Sequence, residues 1–284
     1  MQKNARIFLG LTLLCAAAGM LLRRVELDTA LDLSTMLMAL RPVSILLLLL
    51  TLLAALAFFL LGRAWLRGSE AADYGRTFHG KGLLAVSAAV LLLMLAGSLF
   101  SLRLWKSSVG TDRIFPAILA LLGVLTGADW FSLALEANRS GKAGFPAAVL
   151  PVLYAAFFLI SLYKSYAYQP ALLYTLYPFL GLCCALLALH LSAGLAVGRG
   201  RNRWNFFCAG LGAFLCAVSF VGAPDWMLRC FFAALALMLA AQGACLLQPP
   251  LPPAREAGEG GGPEGEQDVP PDWTPPIPWA EEEK

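Results

Sequence analysis

Charge is what this chain has least of. Only 14% of its 284 residues are Asp, Glu, Lys or Arg, against roughly 25% in soluble domains. The shortage is concentrated in eight stretches, near 7–22, 42–61, 83–102, 114–135, 146–163, 171–197, 204–223 and 226–247. Each is close to the ~20 apolar residues that a helix needs to cross the hydrocarbon core. The alternating pattern of a barrel strand is also missing. Lipid leaves backbone groups no outside partner, so helices are the remaining way to span it. The expected fold is all-α: a polytopic helical membrane domain over 1–248 with about eight transmembrane helices, whose first partner is the lipid bilayer.

Catalytic templates are absent as well. There is no H-E-x-x-H, no G-x-S-x-G, no P-loop and no aspartate-rich cluster of the kind that holds magnesium and pyrophosphate. Histidine occurs twice, too seldom for a metal-dependent intramembrane enzyme. No Cys-x-x-Cys or Cys/His zinc spacing exists among the seven cysteines, Cys15, Cys183, Cys184, Cys208, Cys216, Cys230 and Cys245. All fall inside apolar runs, where a thiol acts as small apolar filler. No catalytic residue, metal site or cofactor is expected. Nor is nucleic acid a partner, because the basic residues flank apolar spans as cytoplasmic loops do.

What is present begins with hydrophobic residues at 59%. Counting Lys and Arg in alternate loops puts eleven on the side of the N-terminus and eight on the other, with Arg199, Arg201 and Arg203 crowded into one loop. The positive-inside rule then places both termini in the cytoplasm of a cell membrane. The first run resembles a signal peptide, with Lys3 and Arg6 ahead of Ala16, Ala17 and Ala18. Arg23 and Arg24 soon after it favour a retained helix. Residues 24–41 are too charged to span and read either as an interfacial amphipathic helix leading into Pro42 or as an ordinary external loop. Tyr163, Tyr166, Tyr168, Tyr174 and Tyr177 crowd the next unusual segment. They suggest a stretch over 165–177 partly in the outer interface, or an aromatic lid.

Residues 249–284 change character. They hold ten of the seventeen prolines and nine acidic residues against two basic ones. Such composition cannot bury enough apolar surface to order itself, so a disordered cytoplasmic tail is expected. Trp273 and Trp279 sit beside Pro275 and Pro276. This is either a solubilising acidic tail or a polyproline segment that docks a cytosolic protein.

Ionisable residues inside spans are costly and mark candidate sites. Asp129 precedes Glu136 by seven residues, and His190 precedes Val197 by seven. Seven residues of helix cover about 10 Å, so both are expected at similar depth in the inner half of the bilayer. Thr126, Ser132 and Glu136 share the helical face of Asp129, while Gly123 and Gly127 form a GxxxG pair on the opposite side. Asp129 and His190 then either face a cavity and handle protons, a cation or a polar substrate, or hydrogen-bond to lock two helices. Alternatively Asp129 pairs with Arg139. Gln242 reads as a backbone or headgroup contact, and Asp225 with Arg229 as a helix cap and pair. The best functional fit is a small-molecule or ion transporter or permease with an Asp/His polar site. The alternative is a non-catalytic membrane anchor or assembly protein that works through its tail.

Overall fold

The computed structural model describes residues 2–32, 37–38, 41–66, 77–107, 114–140, 145–166, 172–195 and 201–248. The chain divides into Met1–Pro252 and Pro253–Lys284, and the second unit lies outside the described residues. Among the described residues of the first there are eight long helices: α1 (Gln2–Ala30), α2 (Pro42–Trp65), α3 (Lys81–Ser107), α4 (Ile114–Ser140), α5 (Phe145–Tyr166), α6 (Leu172–Leu195), α7 (Asn202–Gly222) and α8 (Trp226–Cys245). All eight are long and apolar enough to cross a membrane. This is an all-α, multi-pass membrane protein. Besides the helices there is a two-residue antiparallel pairing of Leu31–Asp32 (β1) with Leu37–Met38 (β2).

Helices α7 and α8 form the middle of the bundle. α7 packs on α1, α2, α6 and α8, and α8 also meets α3. Of its membrane window α7 buries 67%, whereas α2, which packs on α1 and α7, buries 22%. The remaining faces carry leucine and phenylalanine outward, as on α2 at Leu46, Leu49, Leu53 and Leu60. That is the arrangement lipid contact favours. α4 lies against α3 with its glycine side inward: Gly127 faces Met94 and Leu91, and Gly123 faces Ser98. Two serines of α3 then bond α4 carbonyls, Ser98 Oγ to Ala120 O at 2.9 Å and Ser101 Oγ to Pro116 O at 2.7 Å.

Aromatic rings fill the notches that glycine leaves. Phe231 of α8 enters between Gly97 and Gly123, and a Cβ added at Gly97 would stand 2.5 Å from its ring. Tyr154 and Phe158 of α5 close on the same ring, each with its centroid 5.7 Å away. At the other end of α8, Phe8 of α1 sits over Gly243 and meets Phe206 and Phe58.

Several features differ from expectation. The first helix does not stop near 22 but continues to Ala30, so residues 24–30 are part of it rather than of a separate interfacial helix or loop. The charges there are paired along the helix, Arg23 with Glu26 and Arg24 with Asp28, which removes the reason for the helix to end. Tyr177 is buried at 3% exposure while Tyr163 is 65% exposed, so these tyrosines do not share one surface band. Pro178 lies inside α6 and Pro151 inside α5. Asp225 holds the N-cap position of α8 without a side-chain capping bond. Arg229 turns away from it and donates from Nε to Ala223 O at 2.9 Å. His79 is half-buried beside buried Phe78.

Overfilling the Phe231 notch should be costly. Gly97→Val is expected to lower unfolding free energy by about 1–3 kcal/mol, measured by denaturant titration in detergent micelles. The loss should be clearly smaller in a Phe231→Leu background, because the two changes compete for one volume.

Candidate functional site

Three polar places inside the bundle bear on function. Among the described residues Ser44 Oγ and Tyr154 Oη are also buried without a hydrogen-bond partner, but singly, whereas α4 carries two such oxygens one turn apart. On α4, Thr126 is buried and Asp129, one turn later, is half-buried. The Thr126 hydroxyl and the Asp129 Oδ2 are both shielded and have no hydrogen-bond partner. Ser132 belongs to the same stripe, but its hydroxyl is already committed, donating to Asp129 O at 2.8 Å. Glu136 lies two turns on and is exposed, as is Arg139. Seven residues of helix put Glu136 about 10 Å along the axis from Asp129, toward the end of the bundle where α1 begins.

The five residues of the expected site are therefore not one cluster. Thr126, Asp129, Ser132 and Glu136 share α4, while His190 is exposed on α6. Among the described residues neither His190 nor Arg139 makes a hydrogen bond or ion pair with Asp129. Trp273, Trp279, Pro275 and Pro276 lie outside the described residues. The sequence holds a second GxxxG pair, Gly194 with Gly198, of which Gly198 lies outside the described residues.

A second place was not anticipated. Arg23 and Glu26 form an ion pair at 2.6 Å, with Arg23 and Glu26 each only 1% exposed. The guanidinium stands 5.1 Å from the ring centre of Tyr177 on α6, and Gly222 at the end of α7 leaves room beside it. A cation over an aromatic face is stabilised further once water is excluded. The sequence signal was the i,i+3 spacing of Arg and Glu within one unbroken helix. A reading that ends the span near 22 and begins a separate helix or loop at 24 divides that pair.

The third place joins three helices. Gln242 of α8, read from sequence as a backbone or headgroup contact, is buried and donates from Nε2 to Ala188 O at 3.0 Å and Asn205 Oδ1 at 2.7 Å. The same nitrogen meets Ser192 Oγ, to which Asn205 Nδ2 also donates at 3.0 Å. Ser192 is on α6 and Asn205 on α7, so one amide ties α6, α7 and α8 at a single level. Its donors are spent on protein acceptors, which makes this cluster a fastener rather than a ligand site.

Among the described residues no group of three or more His, Cys, Asp and Glu side chains is placed to hold a metal ion. Comparison with protein-family models, curated proteins and solved structures gives no match.

Breaking either closed cluster from one side should destabilise the fold. Glu26→Gln is expected to cost about 3–5 kcal/mol, because it strands a buried cation, whereas the paired change Arg23→Met with Glu26→Leu should restore most of that loss. Gln242→Leu should cost about 1–3 kcal/mol by leaving Asn205 and Ser192 short of a partner. Thermal unfolding in detergent micelles, compared across the four proteins, checks both.

Proposed function

We propose that this protein is a transporter or permease for a small cation or a small molecule coupled to one, with Asp129 as the binding carboxylate and Thr126 as its neighbour. The observation that carries the proposal is the pair of shielded, unpartnered oxygens one turn apart on α4, Thr126 Oγ1 and Asp129 Oδ2. Buried polar atoms in a membrane are met by protein partners almost everywhere, and those left open are candidates for ligand contact. A carboxylate with a free oxygen accepts a proton or ligates a hard cation, and an adjacent hydroxyl supplies a second oxygen. Glu136, exposed two turns away, gives an acidic approach from the end of the bundle that holds the N-terminus. We read that end as cytoplasmic. His190 stands outside this site because it faces away from the bundle.

Proteoliposomes holding the full chain test it. Wild-type protein should dissipate an imposed pH, sodium or potassium gradient at least about tenfold faster than Asp129→Asn, a barrier change of ~1.4 kcal/mol. His190→Ala should match wild type. Equal rates for wild type and Asp129→Asn would remove the proposal.

A second reading rests on the tail, where two tryptophans are set among prolines in 270–279. In it the bundle anchors a cytosolic partner bound at Trp273 and Trp279. Deleting 249–284 should then abolish activity in cells while the helices still insert, and full activity of the truncated chain would exclude it.

A further inference from the structure

Where α2 ends and α7 begins, a cleft of about 530 Å³ opens, lined by Phe59, Arg63, Arg203, Trp204 and Phe207. Its chemistry is divided. The three rings form a triangle, with centroids 6.2 Å apart for Phe59 and Trp204 and 6.1 Å for each of the other two pairs. They give the cleft an apolar wall continuous with the outward leucines of α2. The two arginines give it a basic rim. Arg203 is held in place by its Nε, which donates to Leu66 O at 3.1 Å, and its terminal nitrogens have no partner among the described residues. Among the described residues neither Arg63 nor Arg203 has a carboxylate partner.

This differs from ordinary basic flanking of a span. Arg24, for comparison, is exposed and paired with Asp28. In the cleft two guanidinium groups from different helices meet without a counter-ion among the described residues, beside a greasy wall that runs toward the bilayer core. Arginine forks match phosphate oxygens in a bidentate way, and basic pockets between transmembrane helices hold anionic headgroups. The length of α2 sets the level. Its apolar run ends at Arg63, so the guanidinium lies where lipid phosphates lie, and Phe59, one turn deeper, lies among acyl carbons.

We propose that this cleft binds one anionic phospholipid, its phosphate between Arg63 and Arg203 and an acyl chain along Phe59 and Phe207. The site joins α2, the least buried helix, to α7 through the lipid, so occupancy fastens the edge of the bundle to its centre.

The test uses the purified full chain in detergent micelles, titrated separately with phosphatidylglycerol, phosphatidylcholine and inorganic phosphate while its thermal unfolding is followed. Phosphatidylglycerol should raise the melting temperature and should do so at a concentration about tenfold below that needed with phosphatidylcholine. Inorganic phosphate should have no comparable effect. Arg63→Gln with Arg203→Gln should abolish the difference between the two lipids, while Arg24→Gln should keep it. Equal response to both lipids in the wild type would overturn the proposal without recourse to any variant. An equal shift from inorganic phosphate would overturn the lipid assignment, and a lipid preference retained in the double variant would overturn the site.

Discussion

Hydrocarbon offers no hydrogen-bond partner, and the interior of this protein is arranged around that constraint. Backbone groups are met within helices. Several hydroxyls inside the spans turn back on their own helix, as Thr12 does to Phe8 O, Thr51 to Leu47 O and Ser219 to Leu215 O, while Ser98 and Ser101 reach carbonyls of a neighbouring one. Arg23 is answered by Glu26 on the same helix, and Gln242 by acceptors on two others. Among the described residues Ser44 Oγ and Tyr154 Oη are left open singly, whereas Thr126 and Asp129 place two open oxygens one turn apart on α4. The proposed function rests on that pairing, not on the rarity of aspartate alone.

The same solvent also removes the usual drive for helices to associate, since lipid tails are as apolar as leucine. Close contact must supply the difference. Here it comes from flat rings seated in glycine notches, Phe231 against Gly97 and Gly123 and Phe8 against Gly243. Dispersion gained at such short range is individually small and adds up over a ring. The two centres of packing lie at opposite ends of α8, which explains why this helix and its neighbour α7 are the most enclosed.

The spans were legible from sequence because crossing a bilayer demands a length and an absence of charge that a linear count detects. The glycine side of α4 was legible for a similar reason, since helical periodicity alone separates Gly123 and Gly127 from Asp129. Other features were hidden because they depend on partners far away in the chain. A charge count treats Arg23 as a barrier to the membrane, yet a carboxylate three residues on cancels it. Gln242 finds its acceptors 37 to 54 positions earlier, and no local pattern announces that. The outward aspect of His190 depends on which side of α6 is taken by α5 and α7, a matter settled only when the helices pack.

The pairing of Arg23 with Glu26 bears on biosynthesis. Membrane chains are threaded into lipid in order, and the ring of Tyr177 and the gap at Gly222 are synthesised some 150 to 200 residues after the guanidinium they shelter. Until then the only neutralising group at hand is the one carried a single turn away on the emerging helix itself. Placing the counter-charge in the same segment lets that segment partition early with Arg23 already neutralised, and wait for its later neighbours.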